Sequence, residues 1–194
     1  HKNGSGTVFF TGCNLRCEFC QNKAISRGVA AGKIYTKSEL IDALCSLQES
    51  GVHNINLVTP THFADKIADI LSDMKSRGLL KIPTVYNTSG YESVETLRML
   101  DGLIDIYMPD LKYYSPKLSA EYSGAKDYFK VAKAAILRMQ QQVGGPQVDE
   151  ESGMMTRGLL VRHLVLPGCR KDSIAVMEQL SSMFTPDDFL LSLM

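Results

Sequence analysis

The sequence has no tryptophan, no excess of charge of either sign and no long apolar run. Its 194 residues include 21 basic and 21 acidic side chains, so the formal net charge is zero. No segment approaches the roughly 18 apolar residues of a membrane helix, and no basic run is long enough to act as a phosphate-binding tail. We therefore expect neither a membrane nor a nucleic acid as a partner. The start, His1 to Gly6, lacks the features of a signal or transit peptide, and we expect a cytoplasmic location.

Cysteine is scarce and unevenly placed. Three of the five cysteines, Cys13, Cys17 and Cys20, lie within eight residues, whereas Cys45 and Cys169 stand far apart. An odd number in this arrangement is not a disulfide framework. In a reducing compartment, clustered thiols more often bind metal or carry out redox chemistry. The cluster is therefore the first candidate for a functional site, whereas we interpret Cys45 as a core residue and Cys169 as a loop thiol.

Short apolar runs alternate with longer runs of helical period, which is typical of an α/β fold. Strands are predicted at 8–10, 55–58, 83–86, 104–108, 159–166 and 189–194, the last of them buried. Helices are predicted at 36–51, 62–78, 94–102, 128–143 and 174–183, with an exposed polar loop at 147–153. Connections long enough to hold a helix favour parallel pairing, and such sheets and barrels bind ligands at the carboxyl ends of their strands. We expect one domain over 1–194, and a start without methionine and a stop within an apolar run suggest a piece of a longer chain.

The three clustered cysteines follow the first predicted strand directly. Their spacing is C-x3-C-x2-C, with Phe19 before the last cysteine. Three thiolates at this spacing are able to hold three corners of a 4Fe-4S cluster, which protein ligands normally hold with four. One iron would then remain open to a ligand, in contrast to a cluster that only carries electrons.

This motif resembles the signature of the radical S-adenosylmethionine (SAM) enzymes. The resemblance implies that Cys13, Cys17 and Cys20 hold a 4Fe-4S cluster whose open iron binds SAM, and that Phe19 lies against the adenine. It also implies reductive cleavage of SAM, hydrogen-atom abstraction by a 5′-deoxyadenosyl radical, and an external electron donor such as flavodoxin or ferredoxin. The implied fold is a partial (β/α)6 barrel of parallel strands, here truncated at its C-terminal end.

Two other interpretations of the cysteines stay open at this point. The first is a zinc site completed by a histidine, such as His53, His62 or His163. The second is a four-cysteine cluster completed by Cys45 or Cys169. Either would make the chain a non-catalytic metal-binding module.

Further candidates follow the other predicted strands. Thr59 begins the segment Thr59-Pro60-Thr61-His62, which stands where many members of the family carry two glycines and an acidic residue that contacts SAM. We expect Thr59 to contact SAM, with Thr61 as a helix cap the alternative interpretation. Arg162 lies in an apolar strand, where an arginine needs an anion or several acceptors. Resemblance to a strand of the pyruvate formate-lyase activating enzymes implies that Arg162 contacts the ribose or carboxylate of SAM.

The segment from Met108 to Lys112 resembles the M-x-D-L-K of the pyruvate formate-lyase activating enzymes. The resemblance implies that the Met108 carbonyl and the Asp110 carboxylate bind a monovalent cation beside SAM, and that Lys112 lies near the cofactor. Asn87 stands where that family carries an acidic cation ligand. The alternative for Asp110 and Lys112 is a solvated ion pair of little consequence. This resemblance implies a glycine of a glycyl-radical enzyme as the substrate, with a small molecule or a peptide as the alternatives.

Overall fold

The structure is a computed structural model and describes residues 3–194; His1 and Lys2, which belong to the predicted domain, lie outside the described residues. The strands are β1 (Gly6–Phe9), β2 (Ile55–Val58), β3 (Thr84–Thr88), β4 (Ile106–Pro109), β5 (Gln147–Val148), β6 (Met155–His163) and β7 (Leu190–Leu193). The helices are α1 (Lys23–Ser26), α2 (Lys37–Glu49), α3 (Ala64–Ser76), α4 (Val94–Met99), α5 (Pro116–Ser123), α6 (Tyr128–Val143) and α7 (Arg170–Met183), and a 3-10 turn, Thr61–Phe63, precedes α3.

The described residues form one mostly parallel sheet in the order β1-β2-β3-β4-β6. Each of these neighbours pairs in parallel, and β7 also pairs in parallel with β6. The short β5 pairs with β6 in the antiparallel direction. The predicted α/β class is therefore confirmed, and the carboxyl ends of the main strands meet at one edge of the sheet.

One face of the sheet packs against the helices and the other is open. Ile55 and Leu57 of β2 and Leu159 and Val161 of β6 are buried in the core, and the residues between them are only half-buried. Because side chains alternate along a strand, the half-buried set lies on the opposite, concave face. Along the described chain, no helix has both the length and the apolar character needed to cross a membrane.

The predicted start of the first long helix at residue 36 is confirmed. Thr36 caps α2 in a capping box: its side chain accepts from the Glu39 amide at 3.3 Å, and the Glu39 carboxylate accepts from the Thr36 amide at 2.8 Å. Two short helices, α1 and α5, were not predicted, since neither carries a clear apolar stripe. Ser115 caps α5 and Pro116 occupies its first turn, a start signal present in the sequence.

Two predictions about the second half of the chain are wrong. The segment 147–153 is not entirely a loop, because Gln147 and Val148 form β5 before a turn in which the Asp149 carboxylate accepts from the Ser152 amide at 2.8 Å. The last strand is not buried: leucines 190, 191 and 193 are 40–59% exposed, because β7 pairs with β6 as the last strand on that side of the described sheet.

Candidate functional site

The three clustered cysteines lie on one loop that follows β1 at the carboxyl edge of the sheet. All three are half-buried, and the polar neighbour of each lies in a different segment of the chain. The Leu15 amide donates to the Cys13 sulfur at 3.4 Å, and the Ser123 hydroxyl at the end of α5 donates to Cys17 at 3.0 Å. The Cys20 sulfur lies 3.4 Å from the hydroxyl of Ser26 in α1. The two short helices missed in the sequence therefore help to position the thiols.

Backbone hydrogen bonds fix this loop against the rest of the sheet edge. The Arg16 and Glu18 amides donate to carbonyl oxygens at the end of α5, at 3.1 and 2.9 Å. The Asn14 side-chain amide donates to the Tyr91 carbonyl at 2.6 Å. Near the start of the loop, the His62 ring nitrogen Nε2 lies 2.5 Å from the Thr11 carbonyl oxygen. The loop is thus held from α5, from the segment after β3 and from the segment after β2.

The electrostatics of the thiols show that they interact. Burial raises the pKa of the Cys13 thiol above its usual value. The hydrogen bond from the Leu15 amide opposes this rise, whereas electrostatic interaction with Cys17 and Cys20 raises the pKa of Cys13 further and interaction with Lys112 lowers it. A bound metal centre would offset the unfavourable burial of the thiolates, because thiols that coordinate a metal are deprotonated.

The donor set fits a cluster with several irons better than a single metal ion. Among residues 3–194, no three His, Cys, Asp or Glu side chains lie close enough to share one ion, which is what a zinc site requires. In a 4Fe-4S cluster each thiolate binds a different iron, so the three sulfurs need not converge on one point. A single loop with three half-buried thiols and no fourth cysteine nearby in sequence suits a cluster held at three corners.

A second group of polar residues lies at the carboxyl ends of β3, β4 and β6. The Asp110 carboxylate contacts the Lys112 ammonium at 2.5 Å and the Arg162 guanidinium at 2.7 Å. Arg162 also donates to the Asn87 side-chain oxygen at 2.7 Å. The side chains of Asp110 and Lys112 are only 14% and 12% exposed, so the alternative of a solvated ion pair is wrong. The buried Nε of Arg162 has no hydrogen-bond partner and is free to donate to a ligand.

This arrangement does not fit the predicted monovalent cation. The Asp110 carboxylate is already shared by two cationic side chains, and the Asn87 oxygen accepts from Arg162. A further cation there would meet the positive charges of Lys112 and Arg162 at close range. We therefore assign no cation to Asn87, Asp110 and the Met108 carbonyl.

The backbone beside this ion-pair network is tightly packed. Gly90 has a φ of +79°, and a Cβ at this position would lie 2.2 Å from the Asp110 carbonyl oxygen. The buried Tyr128 hydroxyl accepts from the Lys112 amide at 3.1 Å and lies 2.8 Å from the carbonyl oxygens of Ser89 and Asp110. The loop after β3 and the end of β4 are therefore held together by direct backbone packing and by the Tyr128 hydroxyl.

Phe19 connects the cysteine loop with the ion-pair network. Its ring centroid is 6.4 Å from that of Tyr113, and the Lys112 ammonium lies 5.9 Å from the Phe19 ring centroid. Lys112 also lowers the pKa of the Cys13 thiol by its charge, so the cysteine loop and Lys112 border a common region. An aromatic face beside an ammonium suits the flat, electron-rich ring of a nucleobase.

The segment after β2 differs from the prediction. Thr59 has a φ of +56°, an uncommon backbone conformation for a residue other than glycine, and its amide donates to the Asn87 carbonyl at 2.9 Å. Thr61 does not cap a helix; its hydroxyl donates to the Glu92 carboxylate at 2.5 Å. Glu92 also accepts from the Thr88 hydroxyl and is 1% exposed, and burial raises its pKa to about 7.

Glu92 is a buried acidic residue of this edge that was not predicted from the sequence. The available signal was weak: an acidic residue in the segment after a strand, two positions beyond Gly90. Two further polar residues, His163 and Asp105, make structural contacts. His163 is 1% exposed and contacts the Leu111 carbonyl at 2.7 Å and the Ser173 hydroxyl at 2.9 Å. Asp105 accepts from the Thr84 amide at 2.8 Å.

Comparison with known proteins relates this geometry to a family. Residues 7–146 match the Radical SAM superfamily. An uncharacterized protein of Methanocaldococcus jannaschii is 30% identical over 171 residues, which are 84% of this chain and 45% of that protein. The 7-carboxy-7-deazaguanine synthase of Methanothermobacter thermautotrophicus is 33% identical over 76 residues, 38% of this chain and 30% of that enzyme. The chain thus spans less than half the length of these relatives.

Solved structures share the fold at low identity. Methylornithine synthase (PylB) superposes with a TM-score of 0.66 and 15% identity over 98% of this chain and 52% of its own. Streptococcus suis SuiB bound to its precursor peptide SuiA gives a TM-score of 0.64 and 15% identity over 91% of this chain and 36% of its own. These likenesses confirm the α/β fold with a mostly parallel sheet, in the form of a partial barrel.

Proposed function

This chain belongs to the radical SAM superfamily, and on that premise we propose that it binds a 4Fe-4S cluster and cleaves SAM reductively to start hydrogen-atom abstraction from a substrate. The observation that carries the proposal is the position of three half-buried thiols on one loop, which Phe19 and Lys112 link to the ion-pair network of Asp110 and Arg162. When bound, a cluster held by Cys13, Cys17 and Cys20 supplies an open iron site and the electron that breaks the sulfonium of SAM.

The residues around the thiols have separate roles in this proposal. Arg162 keeps an unpartnered, buried Nε that suits a carboxylate or ribose oxygen of SAM. Asp110 holds Arg162 in place and neutralises part of its charge, so that the guanidinium is stable there without a bound anion. Phe19 offers a ring face to the adenine, with the Lys112 ammonium beside it.

Thr59 and Asn87 lie on adjacent strand ends and are joined through the backbone. The Thr59 amide donates to the Asn87 carbonyl at 2.9 Å, so the Thr59 hydroxyl and the Asn87 side chain belong to one rigid edge. In this proposal Thr59 contacts SAM, whereas Asn87 orients Arg162 through their 2.7 Å hydrogen bond. The neutral Asn87 side chain adds no negative charge that would repel a SAM carboxylate.

For the substrate we propose a glycine of a glycyl-radical enzyme. The support is the M-x-D-L-K match over Met108 to Lys112 and the openness of the concave face, where Phe9 at the β1 edge is 47% exposed and Leu190 on β7 is 41% exposed. An open face leaves room for a loop of a partner protein. A peptide or a small molecule as hydrogen donor is the alternative, and deuterium transfer from labelled candidates into 5′-deoxyadenosine distinguishes them.

The test of the catalytic proposal is 5′-deoxyadenosine release after anaerobic reconstitution with iron and sulfide. With SAM and dithionite we expect release from the wild type and loss of release in Cys17→Ala. Cys45→Ala is the matched control, because Cys45 packs against the core in α2 and should leave the yield unchanged. Equal yields from the wild type and Cys17→Ala would exclude the cluster role. Wild-type protein that holds iron but releases no 5′-deoxyadenosine would favour a non-catalytic binding module.

A further inference from the structure

Positive charge is concentrated in the segment that carries the thiols. Between Cys13 and Lys37 the chain has five basic side chains, Arg16, Lys23, Arg27, Lys33 and Lys37, and one acidic one, Glu18, although the charges of the whole chain balance. All five basic residues are exposed. Lys23 lies 3.7 Å from Glu18, and Lys37 lies 2.8 Å from Asp69. Arg16, Arg27 and Lys33, which we call the basic rim, form no ion pair within 4 Å among residues 3–194, although the charge of Lys33 lowers the pKa of the Glu39 carboxyl.

Large apolar side chains stand exposed beside the basic rim. Ile34 is 93% exposed, Val29 81% and Tyr35 44%. The Lys33 ammonium lies 4.5 Å from the centroid of the Tyr35 ring, so the charged and apolar parts form one continuous surface. Exposed apolar groups bordered by charge are typical of surfaces that bind another macromolecule.

The basic rim adjoins the thiols directly. Arg16 is the neighbour of Cys17 in sequence, and the Arg27 guanidinium donates to the Arg16 carbonyl at 3.2 Å. The segment that follows folds back onto the start of the cysteine loop, because a Cβ on Gly32 would lie 2.7 Å from the Thr11 methyl group. The surface therefore lies beside the cysteine loop at the β1 end of the sheet, several strands from the ion-pair network on β4 and β6.

We propose that the basic rim, with Val29, Ile34 and Tyr35, is the docking surface for an acidic one-electron carrier protein. The inference rests on the proposed function. In the reaction the carrier gives up one electron and is oxidised by one equivalent, and the cluster held by the thiols is reduced by one; no bond forms or breaks. Three unpaired cations beside a small apolar patch fit the small, weak interfaces of electron-transfer partners.

Charge and position favour this partner over two others. A substrate needs access to the open concave face near Arg162 and Asp110, whereas an electron carrier needs only a close approach to the thiols. A nucleic acid is typically bound through many phosphate contacts, and the rim has three unpaired cations. Opposite charges on the two proteins would steer their encounter and make its rate depend on salt.

The test compares two charge-reversal variants with a bacterial flavodoxin, a small acidic flavoprotein, as the probe. The rim variant carries Arg16→Glu, Arg27→Glu and Lys33→Glu. The control carries Lys66→Glu, Lys81→Glu and Lys126→Glu, the same charge change at exposed positions outside the rim segment. Fluorescence anisotropy measures flavodoxin binding to the chain without iron, and stopped-flow absorbance measures reduction of the reconstituted cluster.

For the rim variant at low salt we expect weaker flavodoxin binding and a rate of cluster reduction by flavodoxin that is lower by a factor of about ten or more. This rate should also depend less on salt than the rates of the wild type and the control. Reduction by dithionite and dithionite-driven 5′-deoxyadenosine release should stay unchanged. Flavodoxin binding and reduction as strong as in the wild type would overturn the docking surface. If the rim variant binds a 20-nucleotide RNA more weakly than the wild type does, but binds flavodoxin equally well, the docking surface would be overturned in favour of a nucleic-acid surface. If the wild type releases no 5′-deoxyadenosine with dithionite, the proposed function is refuted instead. The anisotropy measurement would then still show whether the basic rim binds flavodoxin.

Discussion

Substitution of Glu92 by glutamine should change how stability depends on pH. One carboxylate oxygen of Glu92 accepts from the hydroxyls of Thr61 and Thr88, and the other is buried without a hydrogen-bond partner. Burial raises the pKa of this carboxyl from 4.5 to about 7, and the two hydroxyls only partly oppose the rise. The charged form is therefore disfavoured in the folded protein, and the group joins the segments after β2 and β3.

The size and sign of the effect follow from linkage. A pKa that rises from 4.5 to about 7 on folding corresponds to about 3 kcal/mol between the two protonation states. The stabilising contribution is fully present below pH 4.5, where the folded and unfolded states are both protonated. It is lost as pH rises from 4.5 to about 7, because the unfolded state releases its proton first. Above pH 7 the charged Glu92 lowers the free energy of unfolding by that constant amount.

Glu92→Gln removes this titration while keeping an oxygen acceptor for the two hydroxyls. We expect the free energy of unfolding of the variant, relative to that of the wild type, to rise by about 3 kcal/mol between pH 4.5 and pH 8. Urea unfolding at half-unit pH steps measures the difference, in which the titration of all other groups cancels. Glu95→Gln, at an exposed position of α4, is the matched control and should stay parallel to the wild type. Parallel profiles for Glu92→Gln and the wild type would refute the reasoning.

Three further substitutions test the site and the fold. Gly90→Ala should lower the free energy of unfolding by more than about 2 kcal/mol in urea titrations, because the added methyl group meets the Asp110 carbonyl oxygen. Gly102→Ala, at a residue with a similar φ but no atom near the added methyl group, should lower it by about 1 kcal/mol. Asp110→Asn should lower the free energy of unfolding by about 3 kcal/mol in thermal unfolding, since Lys112 and Arg162, which are poorly solvated, lose their anion. Asp69→Asn, in an exposed ion pair, should lower it by less than about 1 kcal/mol. Equal losses would contradict the role given to burial. Thr36→Ala should cost about 1 kcal/mol through loss of the α2 cap, and no change in urea midpoint would contradict the capping box.

Local signals in the sequence were sufficient wherever one segment carries all the information. The capping box at Thr36 and Glu39 predicted the start of α2, and the spacing of the cysteines placed all three on one loop after β1. A short apolar run predicted β2 with its observed bounds, Ile55–Val58. Each of these features depends on residues a few positions apart, whose relative geometry the backbone period determines.

Contacts between distant segments had no such signal. Thr61 has the chemistry of a helix cap, but it lies 31 positions from Glu92, and only the pairing of β2 with β3 brings the two together. The same holds for Asp110 and Arg162, which a parallel bridge places side by side. Their ion pair leaves the Asp110 carboxylate unsuited to the expected cation. Exposure of β7 likewise depends on which strands flank it and not on its own apolar pattern.

The amino-acid sequence by itself determined the family, the α/β class and the three thiols, because a ligand spacing and an apolar period are properties of a single segment. Only the tertiary structure decided which charges neutralise one another and which carboxylate is buried. Those outcomes depend on distance and solvent exposure between residues that are far apart along the chain, as in the pairing of Asp110 with Arg162 and the burial of Glu92.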